Sequence, residues 1–520
     1  MFGADVVKLR GSRPIGGDSV VVVGAGLAGL SAALHLAGAG RDVTVVERAG
    51  APGGRAARVI RPATGGGDYH LDTGPTVLTM PDLVADCFAA VGQEMTDWLT
   101  LKPVDPAYRA EFADGSGISM TTDFTAMSQR IAELSGPGEA AAYGRYVEFV
   151  TRLYRLQMRD FIDRNFDSPT DLVGLSLARL AAMGGFARLA PTLRRYFADE
   201  RLQRIFGFQA LYAGLSPERA LAIYAVIAYM DLVEGVYYPE GGMNALPTAM
   251  EAAARSAGVK FSYDADITGV RWNGDRVRAV RAADGQEWAA DAVVVTVDHP
   301  AAWRILDRPD PRARGPLRTR FSPSCVVLAA GLAQDLPPDE HPAHHTMHFG
   351  RGWGTVFDDL EQGRPMRDPS FLVSRPTVTD PGLAPPGGGT AYVLFPAPNL
   401  TGAGGSIDWT RLRGPYREHM LRSVEKAGLA GFGDTIDAEV LTTPADWAAQ
   451  GLGAGTPFAA AHTFAQTGPF RTANTVGANV ALAGSSTVPG VGVPMVLISG
   501  RLAAERVVGA DPAYRSRAWR

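Results

Sequence analysis

The stretch from Ser19 to Arg55, SVVVVGAGLAGLSAALHLAGAGRDVTVVERAGAPGGR, constrains the fold more tightly than any other part of the chain. Val20 to Val23 form an unbroken apolar run of strand length, as a strand buried on both faces requires, and Gly24, Gly26 and Gly29 follow at GxGxxG spacing. Leu30, Ala33, Leu34 and Ala37 then repeat at helical intervals, Gly38 and Gly40 supply a stop, and Val43 to Val46 make a second strand ending in Glu47. The spacing predicts a complete βαβ unit.

Each part has a physical task. Gly24 permits the tight turn, Gly26 lets the backbone approach a pyrophosphate, and Gly29 lets the helix pack closely on the strand. The helix N-terminus at Leu27 and Ala28 offers free N–H groups to phosphate oxygens. Glu47 is placed to accept hydrogen bonds from an adenosine ribose, and its charge repels a 2′-phosphate, which leaves FAD or NAD as ligand rather than NADP.

Pro52-Gly53-Gly54-Arg55 and Asp72-Thr73-Gly74-Pro75-Thr76 come next. Here the chain resembles the flavoprotein superfamily of amine oxidases, protoporphyrinogen oxidase and carotenoid desaturases, and the resemblance selects FAD. It implies that Gly54 and Arg55 line the pyrophosphate and ribityl region, with Arg48, Gly74, Pro75 and Thr76 also at the cofactor. Arginine suits this task because its planar fork stays charged and matches phosphate oxygens. Farther along, Tyr237-Tyr238-Pro239-Glu240-Gly241-Gly242, the segment AHHTMHFG from Ala343 to Gly350, and GSSTVPGVGVPMVLISGR from Gly484 to Arg501 resemble bacterial-type phytoene desaturases, so that the likeness covers nearly the whole chain. The last stretch reads as strand, glycine loop and helix. The resemblance places Gly484, Ser485, Pro494, Met495 and Val496 at the flavin, where a helix N-terminus stabilises negative charge on the reduced ring. Ile267 is implied at the adenine, and Arg152 as a polar group near the flavin with a catalytic role. Two positions depart from the pattern: Ser485 stands where many superfamily members carry an acid, and Val488 where some desaturases have His, which weakens any mechanism needing a base there.

At 520 residues the chain is too long for one core. The expected fold class is α/β: a Rossmann-type FAD-binding domain assembled from residues 1–80, 236–308 and 470–520, a mainly helical substrate- or membrane-facing domain at 81–235, and a mixed-sheet substrate domain at 309–469. Val259 to Phe261, Ala265 to Trp272, Val277 to Arg281 and the segment around Trp288 read as strands, with a turn at Asn273-Gly274, before a buried strand at Ala292 to Val297. A short extended segment turned by Asp114-Gly115 interrupts the helical region, and Ala220 to Met230 is apolar on every face, either a buried helix or the wall of an apolar tunnel.

A net charge of −4 gives no sign of nucleic-acid binding, two cysteines fit a reducing compartment, and the N-terminal residues lack the apolar core of a signal peptide, so a cytoplasmic location is expected. Leu172 to Ala198 contains no acid but carries Arg179, Arg188, Arg194 and Arg195 among apolar residues. Such a segment is an ordinary surface helix or one lying in a membrane interface, and Gly184-Gly185 and Pro191 limit it to short helices in series. Val476 to Gly500 carries no charge, but its glycines and prolines argue against a straight membrane span. His341, His344, His345 and His348 lie close together, yet Pro342 opposes the helix that would align them and no carboxylate completes a metal set, so no metal is expected.

The resemblance therefore implies FAD-dependent desaturation of a long apolar polyene, phytoene foremost, by a peripheral membrane protein that passes electrons to a quinone or dioxygen. Desaturation or isomerisation of another carotenoid shares every motif. An amine oxidase fits less well, because such enzymes place a lysine near the flavin and Lys8, Lys102, Lys260 and Lys426 all fall outside the segments expected there. A non-catalytic lipid-binding module holding FAD is the remaining alternative.

Overall fold

The valine run sits inside a six-stranded sheet in the computed structural model, which describes residues 14–211, 214–315, 318–336, 343–511 and 513–519. Ser19–Val23 pairs in parallel with Asp42–Val46 on one side and Ala292–Val295 on the other; Lys260–Ser262 and Val480–Leu482 extend the parallel array, and Thr475–Val476 closes one edge antiparallel. Both faces of such a sheet are covered, which is why its strands read as continuous apolar runs rather than alternating ones. All six strands come from residues 1–80, 236–308 and 470–520.

The helix Leu27–Gly38 packs on this sheet and against the C-terminal helix Val493–Val508, with Leu30, Ala32, Ala33 and Leu34 out of contact with solvent. Two glycines set that spacing. A Cβ on Gly29 would stand 1.9 Å from the Gly24 carbonyl oxygen, and one on Gly500 would stand 2.2 Å from the Ala28 carbonyl oxygen.

The antiparallel meander forms as Ile267–Asn273, Arg276–Ala282 and Glu287–Ala289. The strand expected at Val259 to Phe261 forms at Lys260–Ser262, but its partner is Asp42–Val46 in the parallel sheet, where Phe261 sits opposite Val45.

A second sheet of seven strands runs in the order Ile436–Thr442, Ser324–Leu332, Gly389–Ala397, Phe371–Ser374, His345–Phe349, Tyr108–Phe112, Gly117–Met120. Its last two strands are the extended segment within the otherwise helical 81–235 region. Tyr108, Ala110 and Phe112 bury alternate side chains, and the edge beside His345–Phe349 supplies a parallel partner in which Met347 faces Ala110. Apart from the strand Leu101–Val104, which pairs antiparallel with Val236–Pro239, the regular elements of the remainder are helical, including Pro137–Gln157 and the short helices Leu175–Ala182 and Leu189–Tyr196, separated at Gly184-Gly185. Ala220 to Met230 becomes a single-turn 3-10 helix, one α-turn and the start of a π-turn, Met230–Glu234. No helix among the described residues is long and apolar enough to cross a membrane.

Gly500 and Gly144, each inside a helix, yield opposite expectations. Gly500→Ala should lower stability by about 1–3 kcal/mol through overpacking. Gly144→Ala, whose added Cβ in the helix Pro137–Gln157 only touches Phe124 Cζ at 3.5 Å, should raise it by about 0.5–1 kcal/mol through helix propensity. Thermal unfolding of the two variants checks the pair; equal midpoints would remove the close-packing argument.

Candidate cofactor and substrate site

The carboxyl ends of the parallel strands converge on one crevice: Gly24 follows the first strand, Glu47 the second, Thr296 to Asp298 the strand Ala292–Val295, and Gly484 the strand Val480–Leu482. In an open parallel sheet this edge, where the order of connections reverses, is where ligands bind. Gly24 has a φ of 105°, a conformation L side chains rarely adopt, and the Thr296 hydroxyl beneath it donates to the Val23 carbonyl at 2.9 Å. One Glu47 carboxylate oxygen accepts from the Ala25 amide at 2.7 Å and the other from the Ala49 amide at 2.9 Å. Each oxygen keeps a further lone pair for ribose hydroxyls.

The Pro52 to Arg55 segment docks on the glycine loop. The Gly53 amide donates to the Ala25 carbonyl at 3.0 Å, and Gly54 lies so close to Gly26 that a Cβ there would be 3.3 Å from the Gly26 Cα. Arg55 donates to the Ser485 hydroxyl at 2.7 Å, lies 3.9 Å from the Asp298 carboxylate, and keeps a buried Nε with no partner among the described residues. Asp298 is itself buried and accepts from the Ser486 hydroxyl and, at 2.7 Å, from the Gly453 amide.

A cavity of about 1930 Å³ runs from this crevice into the space between the seven-stranded sheet and the helical region. That volume exceeds the roughly 300–1,000 Å³ typical of a site for one small ligand, leaving room for a cofactor and a second molecule. Gly24, Gly26, Leu27, Ala28, Glu47 and Arg48 line its first part, and Gly54, Arg55, Gly74, Pro75, Thr76 and Ile267 continue it. Gly484, Ser485, Pro494, Met495 and Val496 form the wall at the C-terminal helix N-terminus. Gly29 does not reach the cavity; it holds the helix against the strand, the packing task its position in the motif assigns.

Arg152 is not among the residues that line the cavity: its side chain is exposed on the helix Pro137–Gln157 and paired with Glu148 at 2.9 Å across one helical turn.

Asp298 and Thr296 were missed by motif reading. Their signal was topological: they follow a buried parallel strand just as Glu47 does. Asp72 is a further unflagged residue. It is buried and clasped by the Tyr238 hydroxyl at 2.7 Å and the Met243 amide at 2.9 Å, and burial raises its pKa above the usual carboxylate value. This clasp joins the DTGPT and YYPEGG motifs.

The described histidines are engaged separately. His345 Nε2 meets the Thr76 hydroxyl at 2.8 Å, His344 Nδ1 meets that of Thr379 at 2.8 Å, and His348 stacks on Phe371. Burial pushes their pKa values down, to about 4 for His344 and His348 and about 3 for His345, which keeps the rings neutral near pH 7. His341 lies outside the described residues.

Beyond the crevice the lining turns apolar: Leu221, Ile223, Val226, Ile227 and Met230 from the apolar run face Met347 and Leu372 of the seven-stranded sheet. The apolar run is thus both buried and a cavity wall. No described lysine lines the cavity. Toward solvent the wall includes Val173, Phe186 and Phe464; Val173 is 78% exposed and the neighbouring Leu175 66%.

The glycine cradle, the amide-held Glu47 and the partnerless Arg55 Nε fit a flavin dinucleotide.

Comparisons with known proteins agree with this geometry. The family model described as "Flavin containing amine oxidoreductase" matches residues 27–508. A phytoene dehydrogenase of Streptomyces griseus is 54% identical over 95% of each chain, and a zeta-carotene-forming phytoene desaturase of Myxococcus xanthus is 36% identical over 95% of this chain and 94% of its own. Among solved structures, a putrescine oxidase variant superposes with a TM-score of 0.62 at 16% identity, covering 95% of this chain and 99% of the other. Cyclohexylamine oxidase from Brevibacterium oxydans does so with 0.58 at 15% identity, again covering 95% and 99%. The structural likeness concerns the fold alone.

Glu47→Ala removes an acceptor held by two backbone amides and aimed at the crevice. Hydrogen bonds to charged groups are worth about 1.5–3 kcal/mol, so FAD affinity should fall roughly 10- to 100-fold in a fluorescence titration. Wild-type affinity would dismiss Glu47 as the ribose ligand.

Proposed function

This chain belongs to the flavin containing amine oxidoreductases and, within them, to the carotenoid desaturases; from that premise we propose that it desaturates phytoene, making a more conjugated carotene with FAD as oxidant. The observation that carries the reading is the continuity of the cavity, in which a dinucleotide crevice opens directly into a long apolar arm. The naming of the Streptomyces griseus relative as a phytoene dehydrogenase supports this substrate over other carotenoids.

An unactivated hydrocarbon offers no acidic proton and no polar handle, so the protein's contribution is placement and dryness. When bound, the flavin supplies a two-electron acceptor for hydride from an allylic carbon. Leu221, Ile223, Val226, Ile227, Met347 and Leu372 hold an extended apolar chain by dispersion and exclude water, so orientation does much of the catalytic work. The N-terminus of the helix Val493–Val508 directs its unpaired amides into the same cavity, favouring negative charge there. The absence of a lysine from the described lining speaks against amine oxidation.

We also assign the cavity mouth to a membrane surface, with a quinone of that membrane or dioxygen as final electron acceptor. A water-insoluble substrate has to enter from lipid, and Val173, Leu175, Phe186 and Phe464 form an exposed apolar rim. Arg179 and Arg195 are exposed nearby and suited to anionic head groups, whereas Arg194 is paired with Glu218 and Arg188 with the Arg219 carbonyl.

Anaerobic mixing of the FAD-loaded protein with phytoene in liposomes should bleach the flavin and produce long-polyene absorption bands; an unbleached flavin with no new product overturns phytoene as substrate. The double variant Val173→Asp, Leu175→Asp should lower co-sedimentation with anionic vesicles at least about tenfold, since each buried apolar side chain is worth roughly 1.5–3 kcal/mol. Unchanged co-sedimentation removes the rim from the membrane contact.

A further inference from the structure

We propose that Asp231 is the group that accepts the proton lost from the substrate in each desaturation. The inference rests on the desaturase reading above and supplies the base that the motifs leave unassigned.

Asp231 lies in the π-turn Met230–Glu234, just before the strand Val236–Pro239 that leads the chain back toward the flavin crevice. It lines the cavity beside Ile227 and Met230. The wall contributed by residues 81–235 and 309–469 contains, among the described residues, no other Asp or Glu and no Lys or Arg; every other charged lining residue belongs to the dinucleotide crevice. The Asp231 carboxyl has no hydrogen bond and no ion pair among the described residues, and the residue is half-buried at the cavity wall. Burying a carboxyl without a partner destabilises a fold, and Asn or Leu would fill the same space at lower cost. Turns of this type recur at functional sites, and this one sets the carboxyl on the wall an apolar chain has to pass.

The titratable groups around it leave the carboxyl to itself. Glu234 on the same turn does not line the cavity; it lies beside Tyr154, whose hydroxyl donates to the Ala518 carbonyl at 2.8 Å, and burial raises the Glu234 pKa. From other elements the lining presents Tyr108, Tyr224, Tyr392, Cys325, His345 and His462; Tyr224 donates to the His462 carbonyl, His345 meets Thr76, burial raises the Cys325 pKa and keeps that thiol protonated, and burial holds both imidazoles neutral. Desolvation alone pushes the Asp231 pKa up to about 7, where a carboxyl exchanges its proton under ordinary conditions.

The step balances as follows. One allylic C–H bond breaks with its electron pair leaving as hydride to the flavin. The C–H bond on the adjacent carbon breaks with its proton passing to a carboxylate oxygen of Asp231, and the electrons left behind become the new π bond. The carboxylic acid then returns its proton to water, and the two electrons pass on to the quinone or dioxygen.

The test uses FAD-loaded wild type, Asp231→Asn and Asp231→Glu, with phytoene in liposomes under anaerobic conditions. Wild-type bleaching should fall as pH drops through about 7, because the base must be ionised. Asp231→Asn should retain FAD and bind phytoene but bleach at least ~100-fold more slowly and lose that acidic limb, and Asp231→Glu should restore part of the rate. Infrared difference spectra should show a carboxylic-acid band that titrates near pH 7 in the wild type and is missing from Asp231→Asn, whether or not substrate is present. If Asp231→Asn bleaches at the wild-type rate with the wild-type pH profile, the inference is overturned while the desaturase reading stands. If the wild type itself does not bleach, that reading fails and the inference with it.

Discussion

The Glu47 carboxylate, gripped by the amides of Ala25 and Ala49, fixes the end of one strand against the glycine turn that follows its neighbour, and the rest of the site is built outward from that contact. It works only because backbone meets backbone. The approach of Gly29 to the Gly24 carbonyl leaves no room for a side chain and seats the helix on the strand, while Gly54 packs tightly on Gly26 at the crevice. Arg55, Asp298, Ser485 and Ser486 then carry the polar wall across to the C-terminal loop, uniting three distant stretches of chain around one cofactor.

The second constraint is hydrophobic. A sheet packed on helices would ordinarily close its core, yet here the apolar run before Asp231, the seven-stranded sheet and the short helices after Gly174 stand apart around an open arm. Apolar surface left uncovered is unfavourable in water. An apolar ligand removes that penalty, and the rim at Val173, Leu175 and Phe464 extends the same logic to the exterior. The Asp72 clasp ties the DTGPT segment, whose Thr73 to Thr76 line the cavity, to the chain at Tyr238 and Met243.

Much of this was legible in residue order, where the physics is local. Strand, glycine turn, helix and terminal acid lie within one short stretch, and a buried parallel strand has an unmistakable apolar run, so the dinucleotide half could be read directly. The meander was visible from alternation and its Asn273-Gly274 turn. Assignment of Lys260–Ser262 to the parallel sheet and of Tyr108–Phe112 to the seven-stranded sheet was not, because strand pairing depends on partners far along the chain. Arg152 shows the converse limit of reading residue order. Its surroundings in sequence are compatible with a site, but helical phase turns it to solvent beside Glu148.

What the sequence determined by itself is the cofactor half of the fold: strand, GxGxxG turn, helix and the strand ending in Glu47 lie within one short stretch, and Glu47 meets the Ala25 and Ala49 amides inside it. What only the tertiary structure decided is the substrate half, from the continuity of the arm to the isolation of Asp231 among apolar walls. The physical reason is that a cavity is defined by what fails to fill it. Its shape, its dryness and the pKa of a carboxyl within it are set jointly by residues remote in sequence, and no spacing along the chain encodes them.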